Sequence, residues 1–195
     1  ATANYPPFGG GLYIFNSSNF TISGCTIISN SASTNGGGIF CSTNCVNITI
    51  TGCVISANTL LDESPGGVEV FGGGIYQTTG AISILNTVIS GNRAKNPLSS
   101  AKGMAVYQNY SRLNILNCTV AKHVSEGIRR KNDPGAIISI SNSILWDYGN
   151  SLVDVPATNV FYSIVREGEG VYTNTGCFYS DPLFADEPGN DFHLQ

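Results

Sequence analysis

The chain has 195 residues, enough for one domain with a real core, and a formal charge of −4 that no long run of either sign carries. Only 11% of residues are charged while 23 are glycine, a mixture that disfavours long surface helices and suits strands and tight turns. The one basic cluster, Arg129, Arg130 and Lys131, is answered at once by Asp133, so nucleic acid is excluded as an expected partner, and no apolar stretch approaches the roughly 20 residues that span a bilayer.

The chain opens on ATANYPPFGGG, which has neither the basic start nor the apolar middle of a signal peptide, so an exported protein is expected to stand here in mature form. An eleven-residue template then appears as FTISGCTIISN at 20–30 and returns as ITITGCVISAN at 48–58, ISILNTVISGN at 82–92, LNILNCTVAKH at 113–123 and ISISNSILWDY at 138–148. Ahead of each copy sits a second element: GGGLY from Gly9, GGGIF from Gly36, GGGIY from Gly72, GMAVY from Gly103 and GIRR from Gly127. A weaker sixth unit is NVFYSIV at 159–165. The repeats run over about 9–35, 36–71, 72–102, 103–126 and 127–150, with a degenerate last turn and C-terminal cap over 151–195, all within one domain.

Inside each copy apolar and polar residues alternate, the period of a strand with one buried face. The units are too short for a strand, a crossover helix and a second strand, so parallel strands joined without helices must coil. The expected fold is all-β, a single-stranded parallel β-helix of about six turns with three short strands per turn. Ile22, Ile50, Ile84, Ile115 and Ile140 are expected to form one interior column, and Ile27, Ile55, Ile89, Val120 and Ile144 another. Asn30, Asn58 and Asn92 end corresponding strands, where an amide that tolerates left-handed geometry turns the chain and bonds to the Asn above and below. The glycine triplets mark the opposite corner, where positive φ or close stacking excludes a Cβ. Insertions of about five, thirteen and ten residues after the three asparagines are confined to one corner.

The GGGIY … ITITGCVISAN grammar resembles the right-handed parallel β-helix, or pectate-lyase-like, superfamily over nearly the whole chain, and within it the repeat-type bacterial surface proteins with Gly-Gly-x-Ile repeats. The resemblance and the handedness rule for parallel crossovers together imply a right-handed coil. It also implies polysaccharide lyases and hydrolases as the enzymes to test for. Their chemistry needs stacked acids holding Ca²⁺ with a basic residue beside them, or paired Asp on neighbouring turns. Neither pattern is present: the first four template copies contain no Asp or Glu. Asp62, Glu63 and Glu69 fall in a corner insertion and read as a solvated loop, while Asp181, Asp186 and Asp191 read as turn-forming residues. His193 lacks Cys or His neighbours in sequence, so no zinc site is expected.

Among six cysteines, Cys25, Cys53 and Cys118 share a template position with Thr87. Cys53 and Cys118, two turns and so about 9.6 Å apart, are beyond disulfide reach. Cys41 and Cys45, in CSTNC, are the better pair, a small loop clipped at a corner. Sequons at Asn16, Asn19, Asn47, Asn109 and Asn117, with the cysteines, lean toward an oxidising, extracellular setting.

The expected function is a secreted, non-catalytic structural protein that stacks head to tail with copies of itself into a fibre or surface layer, with no cofactor and no metal. The motive is that solenoid ends expose unpaired edges, and the chain reaches FGGGLYIF early and ends on DFHLQ without an amphipathic helix. One alternative is a carbohydrate-active β-helix gripping an anionic glycan with His123, Arg129, Arg130 and Lys131; another is a fragment of a larger adhesin.

Overall fold

The computed structural model describes residues 8–63, 66–96, 98–166, 172 and 176–195. Its strands stack into ladders, every one parallel except a hairpin at the C-terminal end. The first ladder follows the glycine triplets: Leu12–Ile14, Ile39–Cys41, the start of Ile75–Leu85, the start of Val106–Leu116, Ile128–Arg130 and Leu152–Val153. The second runs through Ser18–Ser23, Val46–Thr51, the ends of Ile75–Leu85 and Val106–Leu116, Ile137–Ser141 and Val160–Phe161. The two eleven-residue strands pass through both ladders and fuse them into one ten-stranded sheet. A separate six-stranded sheet, here the lateral sheet, holds Thr26–Ile28, Val54–Ser56, Val88–Ser90, Thr119–Ala121, Ile144–Trp146 and Ile164–Val165. Three ladders of six strands make six turns of three strands.

The interior columns follow from the register. Ile22 pairs with Ile50, Ile50 with Ile84, Ile84 with Ile115, Ile115 with Ile140, and Ile140 with Val160. The other column runs Ile27, Ile55, Ile89, Val120, Leu145 and Val165. Leu145 replaces the expected Ile144, which pairs with Thr119 on the outer face. A period of two leaves only one residue of that adjacent pair pointing inward. Nearly all these side chains are fully buried in one continuous cluster, an apolar burial that no turn reaches alone.

The variable corner is more ordered than an insertion site need be. Ser31–Ala32, Thr59–Leu60 and Arg93–Ala94 form a short ladder there, and Glu69–Phe71 pairs with Ser100–Lys102. Between them Ala32, Leu60, Val70 and Met104 make a small second core. Asp62, expected in a solvated loop, is buried and accepts hydrogen bonds from Val68 N (2.8 Å), Ser99 Oγ (2.5 Å) and Asn96 Nδ2 (3.3 Å). It clamps the two long insertions together.

The glycine corner uses both expected reasons, each at a different residue. The first of each triplet has positive φ, for example Gly36 at +62°. The second and third are close-stacked: a Cβ on Gly37 would lie 2.5 Å from Gly73 O, and one on Gly38 2.7 Å from Gly74 O. Beyond the triplets, Tyr13, Phe40, Tyr76 and Tyr107 occupy equivalent outward positions with ring centroids 5.1–5.4 Å apart, Tyr13 stacked on Phe40 and the next two pairs tilted or edge-on. Burial raises the pKa of Tyr76 and Tyr107.

Candidate functional site

The expected asparagine ladder is present and runs further than the three asparagines. Asn30 donates from N and Nδ2 to Asn58 Oδ1, both at 3.0 Å, and Asn58 donates in the same way to Asn92 Oδ1 at 3.0 and 2.9 Å. The left-handed residue at this corner precedes the ladder residue in the first four turns, at Ser29, Ala57 and Gly91 before asparagine and at Lys122 before His123. The asparagines therefore serve as acceptors for the turn before rather than as the turning residues.

His123 takes the fourth place in the ladder and Asp147 the fifth, both fully buried. The backbone N–H of Asn58 fixes which end of the Asn92 amide is oxygen, so Asn92 Nδ2 faces His123 Nε2 at 3.2 Å as a donor. Nε2 must accept. Nδ1 then carries the proton and donates to Asp147 Oδ1 at 2.6 Å, which also receives His123 N at 2.9 Å. The backbone thus sets a neutral imidazole of one tautomer two turns away. Asp147 N in turn donates to Ser151 Oγ at 3.1 Å.

This placement removes His123 from the surface patch expected with Arg129, Arg130 and Lys131. The remaining three are spent on the protein itself. Arg129 forms ion pairs with Glu126 and with Asp154, the latter at 3.1 Å. Arg130 donates to the carbonyls of Asp154, Asp133 and Ala136 at 2.7–3.1 Å. Lys131 Nζ donates to Tyr110 OH at 2.9 Å and lies 4.1 Å from the centre of that ring. Arg130 and Lys131 fasten the loop over 131–136 to its neighbours, and Arg129 ties Glu126 to Asp154.

One groove lies where the sequence did not suggest it. The C-terminal hairpin, Phe184–Asp186 with Asp191–Leu194, lies along the outer face of the lateral sheet. Lys122 Nζ holds its turn through Glu187 O (2.9 Å), Pro188 O (3.1 Å) and Asn190 Oδ1 (2.8 Å). A groove of about 330 Å³ remains between them, floored by Val54, Ser56, Val88, Ser90 and Thr119 and walled by Asn190 to His193. Asp191 Oδ1 accepts from His193 N (3.1 Å) and meets His193 Nδ1 at 2.5 Å, and these bonds lower the Asp191 pKa. The three aspartates spaced by five all cap turns, at Leu183 N, Gly189 N and His193 N. Among the described residues no group of three metal-ligating side chains comes together, and no helix is long and apolar enough to cross a membrane.

Cys41 and Cys45, expected as a disulfide, are free thiols. Both are fully buried, and Cys45 Sγ is directed at Ile14 O, 3.4 Å away. The corner is held by backbone stacking and needs no clip. Burial, and then the nearby Cys45, push the Cys41 pKa well up. Cys53 and Cys118 point their thiols back at the preceding turn, toward Ile22 O (3.6 Å) and Ile84 O (3.4 Å), and burial raises Cys118 to about 11. Of the sequon asparagines, Asn16, Asn19, Asn47 and Asn117 are exposed, while Asn109 is half-buried. Asn47 Nδ2 donates to Asn19 Oδ1 at 3.0 Å.

A family model described as "Right handed beta helix region" matches residues 2–180. No curated protein and no solved structure matches the chain.

Proposed function

From the premise that the chain belongs to the right-handed β-helix family, a fold used by enzymes and non-enzymes alike, we propose that it is a non-catalytic, extracellular structural protein that self-associates through an end of its solenoid. One observation carries this reading: among the described residues the strands Leu12–Ile14, Ser18–Ser23 and Thr26–Ile28 each pair on one side alone. Asn30 Oδ1 stands where Asn58 and Asn92 each accept two hydrogen bonds, and no described donor reaches it. Cys25, in the column where Cys53 and Cys118 are buried, is exposed. Leu12, Tyr13, Phe15 and Ile28 are exposed on the same turn. An open, apolar, unpaired edge is a template for another strand. The exposed sequon asparagines support a glycosylated surface protein.

Sedimentation and electron microscopy of the purified chain test it. Assemblies larger than one chain are expected, and monomers at every concentration would remove the reading. Intact mass before and after deglycosylation tests the extracellular part, where an unchanged mass in native material counts against it.

A second reading, glycan binding or cleavage, draws on the groove beside the hairpin. It joins an aromatic ring, Phe192, to hydroxyl, amide and carboxylate groups, the chemistry that holds a sugar. Release of oligosaccharides from uronate or neutral polymers, abolished by Asp191→Ala, would establish it over the structural reading.

A further inference from the structure

Independently of the self-association reading, we propose that the insertion corner is a docking site for an extended peptide segment of a partner protein, which adds a fourth parallel strand to the short ladder above Arg93–Ala94. The ladder rises by one bond pattern. Thr59 N donates to Asn30 O (2.9 Å) and Leu61 N to Ala32 O (2.9 Å); one turn on, Arg93 N donates to Asn58 O (3.0 Å) and Lys95 N to Leu60 O (2.8 Å). The next donors would reach Asn92 O and Ala94 O, and among the described residues no backbone donor does. The cause is the length of the fourth turn. Only Val124, Ser125 and Glu126 separate His123 from Gly127, so the chain cuts across the corner without forming a strand there. Parallel strands bond through alternate residues. Arg93 and Lys95 therefore face the turn below, while Ala94 turns both its N–H and its C=O to the open side.

Ser100–Lys102 repeats the situation beside it. Ser100 N donates to Val68 O (3.1 Å) and Lys102 O accepts from Gly72 N (3.1 Å), so Ala101 faces the open side, where Ser125 Oγ donates to its carbonyl (2.8 Å). A hollow of about 380 Å³ lies there, lined by Arg93, Ala94, Ala101, Met104, Val124 and Ser125. Val124, 77% exposed, gives it an apolar rim. An interrupted ladder is the template that extended peptides complete by backbone pairing, while the flanking surface reads alternate side chains. The register specifies those side chains. Ala32, Leu60 and Ala94 form a column over the small second core, and Ser31, Thr59 and Arg93 the column beside it, facing outward. The peptide residue in register with Arg93 would donate to Asn92 O and accept from Ala94 N. It stands beside an exposed guanidinium that no ion pair engages among the described residues, so an acid fits. The next residue lies over Ala94, whose small side chain leaves room for leucine, and the one after it donates to Ala94 O.

The probe is a fluorescein-labelled peptide, Ser-Asn-Glu-Leu-Thr-Asn amide, titrated into the full chain by fluorescence anisotropy, with residue-resolved hydrogen exchange followed in parallel. Without peptide, the Ala94 amide is expected to exchange faster than those of Arg93 and Lys95. Saturating peptide is expected to slow it and to leave the lateral sheet unchanged. N-methylation of the threonine, or lysine in place of the glutamate, should weaken binding about tenfold or more. Arg93→Glu, at an exposed position, should lose the glutamate peptide and take up the lysine one. No anisotropy change at millimolar peptide overturns the proposal, as does an Ala94 amide already as slow as its neighbours. Binding that ignores both N-methylation and Arg93→Glu overturns the placement of the site. Slowing of the Ala94 amide by chain concentration alone would give the edge to a second copy and overturn the foreign partner.

Discussion

His123 shows how one side chain can be forced into a single chemical state by residues far from it in sequence. Its two ring nitrogens face a donor and a carboxylate whose orientations are fixed by backbone amides. Replacing it with alanine removes the bond to Asn92, leaves Asp147 without its imidazole partner and opens a void. His123→Ala should therefore cost about 2–4 kcal/mol. His123→Asn can accept from Asn92 and donate to Asp147, so it should recover most of that loss, limited by its smaller volume. Urea midpoints of the three proteins check the order; equal loss in both variants would mean that the cavity, and not the hydrogen bonds, dominates. The position was legible in part, since LNILNCTVAKH puts His123 in the asparagine column. That Asp147 follows was not legible, because the same template puts Tyr148 there. The fifth turn omits the left-handed residue that precedes the corner in the first four, so the inward-facing position falls one residue early.

At the level of strands and corners, two glycine columns that look alike in sequence obey opposite rules. Gly37 is in close stacking with Gly73, and Gly37→Ala should cost about 1–3 kcal/mol by overpacking, since the obstacle is backbone and cannot step aside. Gly52 has φ of +60° but nothing nearer than 3.9 Å to an added Cβ, and its column continues as Asn86, Asn117 and Asn142, all with positive φ. Gly52→Asn should be close to neutral, as asparagine tolerates the left-handed region and loses less entropy on folding. Thermal unfolding of both variants separates the two causes, and a large loss with Gly52→Asn would contradict the open corner. The strands themselves were readable because alternation and repeat length agree. The short ladder in the insertion corner was not, since its two-residue strands are too brief to show a period and Asp62 looks like any loop acid until Ser99 and Asn96 are brought to it. The hairpin groove was hidden for a related reason: nothing local says that Lys122 will meet residues 187–190.

Across the whole molecule, stacking makes both chemistry and stability depend on position along the axis. Cys25 is exposed, whereas Cys41, Cys45, Cys53 and Cys118 are each buried. In dilute native solution near neutral pH, an alkylating reagent should modify Cys25 first and spare those four, Cys118 most plainly because burial holds its pKa at about 11 and thiolate is the reacting form. In denaturant six adducts should appear; four, with a further two only after reduction, would place a disulfide where the structure has thiols.

The same asymmetry governs unfolding. A solenoid is held by contacts between neighbouring turns, so a turn with neighbours on both sides outlasts one at an end. The third and fourth turns own the two uninterrupted eleven-residue strands, Ile75–Leu85 and Val106–Leu116, which pair with each other over ten positions and with a further turn on either side. Hydrogen exchange of the monomer should be slowest there and quicken stepwise toward Leu12–Ile14. Equal protection in every turn would mean that the solenoid opens only as a whole, and the end would then have no independent freedom to frustrate or to satisfy.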